Sequence, residues 1–268
     1  RDGPEPVDWN PAALPVVQPA ADLADSAKSF VVDVRDAKSY AEGHIPNSVN
    51  IALRGRFETW TGIMVPWDAP IVLTGSAEEL KEAAYRLHRV GYKPKCVEFD
   101  AWKRAGLSLA KNEMVTPRDL YAQLQTPDSP VVVDVRLPAE WMALRIGTVV
   151  NIPLNELFQK AGKLDRSQRI VAVCNSAYRS SLAVGVFERQ GFQHVSSMAG
   201  GGEAWIDAGL PVFEAKSAGT ASPHPVREVR LAERISAAEL KRLVMDLPGT
   251  FQLVDIRPSD HFADYSLP

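Results

Sequence analysis

A cysteine, a short polar loop and an arginine follow one another at Cys174-Asn175-Ser176-Ala177-Tyr178-Arg179-Ser180. They lie between the apolar run Val171-Ala172-Val173 and a stretch where Leu182, Ala183, Val186 and Phe187 recur at helical spacing. The run suits a buried strand and the spacing an amphipathic helix, so Cys174 is expected where a strand hands over to a helix N-terminus. Backbone N–H groups at such a junction have no intrahelical acceptor. With the helix dipole and the Arg179 cation they would stabilise a thiolate, a persulfide or a bound oxyanion. The thiolate is the nucleophilic form of cysteine, and an environment of this kind supplies it without a general-base histidine. A lone cysteine at a strand end is otherwise ordinary core. The arginine closing the loop turns the reading from packing to nucleophilic chemistry.

The elements that must hold this loop are announced by an internal repeat. Phe30-Val31-Val32-Asp33-Val34-Arg35 returns as Val131-Val132-Val133-Asp134-Val135-Arg136 and again as Gln252-Leu253-Val254-Asp255-Ile256-Arg257. Ile45 to Leu53 answers Ile146 to Leu154 without a gap, Arg86-Leu87-His88-Arg89-Val90-Gly91-Tyr92 parallels Val186 to Phe192, and Ala101-Trp102 parallels Ala204-Trp205. Apolar strands alternating with amphipathic helices imply a mostly parallel sheet with helices on both faces, repeated in tandem. The organisation read from the repeats is a linker at 1–15, a first domain at 16–112, a second carrying the cysteine loop at 113–216, a Ser/Ala/Gly/Pro-rich linker at 217–233, and the opening of a third repeat at 234–268. Half a sheet cannot close a core, so the third repeat is expected to belong to a longer polypeptide or to dock elsewhere.

Composition removes several function classes. The 268 residues are 46% hydrophobic, enough for two ordinary cores, and a net charge of −3 with both signs mixed gives no electrostatic case for nucleic acid or an anionic membrane surface. No apolar stretch approaches the ~20 residues of a membrane helix. Two cysteines, Cys96 and Cys174, make no disulfide framework and fit a reducing cytoplasm.

The pattern Asp-Val-Arg, then Glu42-Gly43-His44-Ile45-Pro46-Asn47-Ser48, then an apolar strand ending in Cys174 with Arg179 and Ser180, then Gly200-Gly201-Gly202 and Trp205, resembles the rhodanese family of sulfurtransferases. The resemblance implies an α/β fold of tandem rhodanese-like domains, each a central mostly parallel sheet with helices on both faces. It also implies a loop that carries sulfur as a persulfide on Cys174. Under it, Cys174 and Arg179 are the catalytic residues; Asn175, Ser176, Ala177, Tyr178 and Ser180 line the substrate, and Trp141 and Arg145 stand at the entrance. Ala177 replaces a glycine common in the family and must accept the loop's backbone geometry, while Arg145 and Gly147 replace the histidine and proline present at His44 and Pro46. Related phosphatases have one residue more between cysteine and arginine. The four here make a smaller cradle, which favours sulfur over tetrahedral phosphate. A Cys-dependent phosphatase or arsenate reductase and a non-catalytic interaction module remain the competing readings.

The first repeat is expected to be silent: alignment on Gly91 and Gly191 puts Thr74 in the place of Cys174 and Glu78-Glu79 in the place of Tyr178-Arg179. Cys96 is expected on a core-facing strand, and Asp134 and Arg136 as a structural charged pair at a strand end. The stretch Leu53 to Gly62 with Val65-Pro66 looks like the inactive rhodanese domain of bacterial fusions with a metallo-β-lactamase-type persulfide dioxygenase. That likeness makes a fused or associated dioxygenase a candidate partner and the Pro-rich opening Pro4 to Pro11 a linker, although no His-x-His-x-Asp-His cluster occurs. No cofactor and no metal are expected. The remaining partners read from the sequence are a small-molecule sulfur donor and a thiol or cyanide acceptor, with a homo-oligomer left open.

Overall fold

The computed structural model describes residues 14–25, 28–147 and 149–214. The Pro-rich opening, the whole of the 217–233 linker and the third repeat with Asp255-Ile256-Arg257 lie outside the described residues.

The first repeat folds as β1 (Phe30–Asp33), α1 (Ala37–Glu42), β2 (Val49–Asn50), α2 (Phe57–Met64), β3 (Ile71–Gly75), α3 (Ala77–His88), β4 (Lys95–Glu98) and α4 (Phe99–Arg104). The second folds as β5 (Met114–Val115), α5 (Pro117–Gln123), β6 (Val131–Asp134), α6 (Pro138–Ala143), β7 (Leu144–Arg145), β8 (Val150–Asn151), α7 (Leu157–Lys160), β9 (Ile170–Val173), α8 (Tyr178–Arg189), β10 (Val195–Met198), α9 (Gly201–Asp207) and β11 (Phe213–Glu214). Strand order is β2-β1-β3-β4 in one sheet and β5-β10-β9-β6-β8 in the other, every pairing in both being parallel. Parallel sheets must be covered on both faces, which is why β1, β3 and β9 are buried at every position rather than in alternation. The expected tandem α/β architecture is therefore the one observed, with β7 and β11 forming a separate antiparallel ribbon.

Strand-end chemistry repeats along with the strands. Arg35 grips Asp33 and the Gly43 carbonyl, Arg136 grips Asp134 and the Leu144 carbonyl, and Asn50 and Asn151 each donate to two carbonyls of the neighbouring strand end. Asp134 and Arg136 are both buried, the charged pair anticipated at that strand end.

The two repeats do not sit as separate beads. One apolar cluster runs from Val32, Leu73 and Leu87 of the first repeat to Ala172, Leu182 and Phe187 of the second. Helix α8, which follows the cysteine loop, lies on β2 of the first repeat. The approach is permitted by Gly185, where a β-carbon would come within 2.5 Å of the Ser48 carbonyl oxygen and 2.7 Å of the Val49 Cα. Polar groups line the seam: Ser181 Oγ donates to Asn50 Oδ1 at 2.6 Å, His44 Nε2 meets Glu188 Oε2 at 2.9 Å, and Arg189 Nη1 donates to the Asn47 carbonyl at 2.9 Å. Asn112, between the repeats, donates to the other oxygen of Glu188.

In an exposed helix, Gly→Ala adds about 1 kcal/mol of helix stability, but overpacking a filled interface costs about 1–3 kcal/mol. At Gly185 the second effect should win. Gly185→Ala is expected to lower the urea midpoint and loosen the repeats, checked by denaturation followed by tryptophan fluorescence; a raised midpoint would show that the seam has room.

Candidate active site

Strand β9 delivers Cys174 to its C-terminal end and Ala177 starts α8 from the left-handed region, with φ 70 and ψ −10. A side chain there costs roughly 1–2 kcal/mol relative to glycine, so Ala177 accepts the geometry that its place in the loop demands. The N-terminus of α8 has no side-chain cap. Its third-position amide, Ser180 N–H, is directed instead at the sulfur, with N···Sγ 3.3 Å, and the Ser180 hydroxyl lies 3.5 Å from Sγ while donating to the Ala177 carbonyl at 3.1 Å. The backbone amides of residues 175–179 have no carbonyl acceptor among the described residues. Sulfur thus takes the third amide of a helix whose preceding amides have no carbonyl acceptor among the described residues, an arrangement that favours negative charge on the sulfur or on a group joined to it.

Three braces hold the loop. Gly202 N–H donates to the Cys174 carbonyl at 2.7 Å and Glu203 N–H to the Asn175 carbonyl at 3.0 Å, so the start of α9 ties the loop from behind. Gly201, with φ 62, has to be glycine, because a β-carbon would overlap the backbone of Asn175. Arg136 Nη1 donates to Asn175 Oδ1 at 3.2 Å, joining the buried Asp134–Arg136 pair to the loop. Finally, Arg179 makes a two-pronged pair with Glu140 of α6, both N···O distances being 2.7 Å, and Asn175 Nδ2 donates to the same carboxylate at 3.3 Å. The guanidinium beside Glu140 holds its carboxyl well below the usual range, at about 2, and Arg179 is correspondingly raised. Arg179 therefore spends both terminal nitrogens on a neighbouring helix, and Glu140 is a site residue that its sequence position did not announce.

Cys174, Asn175, Ser176, Tyr178 and Arg179 line a cavity of about 390 Å³, and its opposite wall is Arg54, Gly55, Arg56 and Trp60 of the first repeat. Ala177 and Ser180 are buried behind the loop. Trp141 and Arg145 do not line this cavity, contrary to their expected place at the entrance. Glu140 faces Arg179, but Trp141, next along α6, packs on the second repeat's core, and Arg145 stacks on Trp141 with its guanidinium carbon 4.8 Å from the ring centroid. Tyr178 joins the two walls: its hydroxyl donates to the Ala52 carbonyl at 3.4 Å, Arg54 lies 5.1 Å above its ring, and burial pushes the phenol up to about 12.

The first repeat differs from expectation by one residue. Asp33 pairs with Thr74 where Asp134 pairs with Val173, so the structural counterpart of Cys174 is Gly75, not Thr74. Seventeen positions lead from Cys174 to Gly191 and sixteen from Gly75 to Gly91, which shortens the loop by one. A β-carbon at Gly75 would come within 2.7 Å of Val34 Cγ2. Helix α3 is capped by its own side chains, Ser76 Oγ accepting from Glu79 N–H and Glu79 Oε2 from Ser76 N–H. In α3 the third amide, Glu79 N–H, is thereby held by the Ser76 hydroxyl, where in α8 the corresponding Ser180 N–H meets the cysteine sulfur.

Two parallel α/β sheets, one ending in a cysteine that caps a helix beside a cavity, define two domains among the described residues, with Cys174 of the second facing the cavity. A family model for the rhodanese-like domain matches residues 17–103 and 116–208, and the chain belongs to the rhodanese family. An uncharacterized protein of Synechocystis is 31% identical over 111 residues, 41% of this chain and 62% of its own length. A putative sulfur carrier protein of Bacillus subtilis is 31% identical over 83 residues, 31% of this chain and 45% of its own length. The chain thus spans less than two thirds of these two relatives. A sulfurtransferase of Allochromatium vinosum is 26% identical over 98 residues, 37% of this chain and 92% of its own length. The crystal structure of a thiosulfate sulfurtransferase from Pseudomonas aeruginosa is similar over 78% of this chain and 46% of its own, at 22% identity and a TM-score of 0.35. No helix among the described residues is long and apolar enough to cross a membrane.

Burial pushes the Cys96 thiol up to about 12, and Cys96 lies in the core of the first sheet, whereas Cys174 opens on the cavity. Iodoacetamide at pH 8 is expected to modify Cys174 and spare Cys96 in the native protein, as read by peptide mass mapping; equal labelling would mean that the first sheet opens readily.

Proposed function

We propose that this protein is a sulfurtransferase that moves sulfane sulfur from thiosulfate or a persulfide to a thiophilic acceptor through a Cys174 persulfide. The observation that carries the reading is the Ser180 amide directed at Sγ at the edge of a cavity, within a loop whose remaining amides have no carbonyl acceptor. Family membership and relatives named as a sulfurtransferase and a sulfur carrier support sulfur transfer as the class of activity.

The steps balance without an added redox agent. Cys174 thiolate attacks the outer sulfur of the donor; the donor's S–S bond breaks, its electron pair leaves on sulfite or on a thiolate, and Cys174 holds an S–S bond to the transferred sulfur. An acceptor nucleophile such as cyanide or a thiolate then attacks that outer sulfur and returns Cys174 as thiolate. The amides of residues 175–180 stabilise the charge carried first by Cys174 and then by the outer sulfur of its persulfide. Asn175 and Arg179 act as positioning residues: through Glu140 and Arg136 they keep the loop open. The first repeat, with Gly75 in the nucleophile's place and Glu79 on the helix end, acts as a scaffold and wall. A fused or associated persulfide dioxygenase is compatible with this reading, since it would draw on the same persulfides.

Cys174→Ser is expected to abolish thiocyanate formation from thiosulfate and cyanide, because the hydroxyl is not ionised near neutral pH, while Cys96→Ser retains it. The double variant Thr74→Cys, Cys174→Ser should stay inactive, since Thr74 is buried within β3 one residue before the loop. Turnover by Cys174→Ser would sink the assignment.

The Glu140 brace gives a pH dependence. A carboxyl depressed to about 2 in the folded protein contributes stability that is complete above the unfolded value near 4.5 and is lost as pH falls through about 2. Wild type and Glu140→Gln should therefore differ most in melting temperature at pH 6–7 and converge on acidification toward pH 2; a constant difference across that range would show that the pair does not couple to folding.

A further inference from the structure

The cavity beside Cys174 has a charged wall that no step of the sulfur transfer yet uses. Its lining holds three guanidinium groups and no carboxylate. Arg179 is neutralised by Glu140, but Arg54 and Arg56 form no ion pair among the described residues. The loop presenting them is built. Gly55 turns it with φ 55, in the left-handed region that favours glycine. Phe57 anchors it in the core, and Arg86 clamps it by pairing with both oxygens of Glu58, at 2.6 Å each, while donating to the Gly55 carbonyl at 3.3 Å. Glu58, two positions after Arg56, is thereby occupied, and the two loop cations line the same cavity as the thiol. Arg54 is further placed by its stacking on Tyr178, and Trp60 adds an aromatic surface to the same wall.

We propose that this wall, supplied by the silent repeat, is a binding subsite for the body of the sulfur donor, and that the donor is a peptide-sized thiol persulfide bearing carboxylates. The inference rests on the sulfur-transfer reading and specifies its substrate class. The size of the cavity points the same way: about 390 Å³ falls in the range that holds drug-sized ligands, far more than a compact oxyanion such as thiosulfate fills. Two cations separated by one glycine match two carboxylates on a flexible backbone. In the reaction, Cys174 thiolate takes the terminal sulfur of R–S–SH, the S–S bond breaks, and R–S⁻ leaves with its carboxylates still held by the wall and picks up the proton released from the persulfide.

Reduced glutathione and glutathione persulfide are the probes. Titration of glutathione into Cys174→Ser protein measures the subsite without turnover. Binding that weakens about tenfold in a background of Arg54→Ala and Arg56→Ala, as loss of two partly exposed charge contacts would produce, supports the proposal, as does binding lost with the dimethyl ester of glutathione. In the Cys174 protein, the same pair of substitutions should lower the kcat/KM preference for glutathione persulfide over thiosulfate about tenfold, mainly through KM. Arg54→Lys with Arg56→Lys should recover most of it, which a merely structural loop defect would not allow. Equal losses with both donors, or no glutathione binding by Cys174→Ser protein at millimolar concentration, overturn the subsite. Absence of Cys174-dependent turnover with every donor would instead overturn the sulfur-transfer reading, whatever the titration gives.

Discussion

The hydrogen bond from the third amide of α8 to Cys174 Sγ is the interaction on which the rest of the site depends. An α-helix begins with four N–H groups that have no partner within it, and most helices satisfy them with a serine, threonine, aspartate or asparagine at the start. Here a sulfur does so. The substitution requires that the sulfur arrive from the strand side, which fixes the length of the loop, and that no oxygen side chain compete, which fixes a small residue at the N-cap. Ala177 meets the second requirement at the expense of a left-handed backbone. The glycines at the start of α9 and the Glu140–Arg179 pair complement it: the carbonyls of Cys174 and Asn175 find donors at the start of α9 and the arginine finds its carboxylate on α6.

The first repeat shows what happens when the same fold satisfies the helix internally. Ser76 and Glu79 close a capping box on α3, a common device for stabilising a helix start. One residue has gone from the loop and the strand runs on to Gly75. A nucleophile is not restored there by exchanging one side chain, because a β-carbon at Gly75 meets Val34 and the third amide of α3 is already held by Ser76. What the repeat retains is shape: a sheet edge on which α8 lies, and a braced loop that reaches the cavity.

Much of the fold was legible because its signals are redundant. Three strand motifs, two glycine-led helix ends and two tryptophans at matching positions fix the tandem parallel architecture several times over, and an apolar run before a helical pattern places Cys174 at a strand–helix junction. The site was legible where it is local in sequence: Cys174 through Ser180 lie together because the chain is continuous there. It was illegible where it depends on which way a helix faces. Glu140 and Trp141 are adjacent, yet one meets Arg179 and the other the core; only the packing of α6 decides between them. The Thr74 alignment failed for a related reason. Counting back from Gly91 measures the helix, whereas the nucleophile's place is set by strand register, and the missing residue lies between the two.

Arg179 shows why residue type and role have to be argued separately. An arginine closing a cysteine loop invites the view that its charge faces the thiol. Its two terminal nitrogens instead make a bidentate pair with a carboxylate, the geometry in which a planar fork is strongest. With that charge paired to Glu140, the amide directed at the sulfur is a dipole fixed in place by the helix, which needs no reorganisation when charge on the sulfur changes. The free cations lie across the cavity on the other repeat. On the proposed reading, stabilisation of the reacting sulfur and recognition of what carries it fall to different walls, so that the charge that selects a donor can change without disturbing the loop that holds the sulfur.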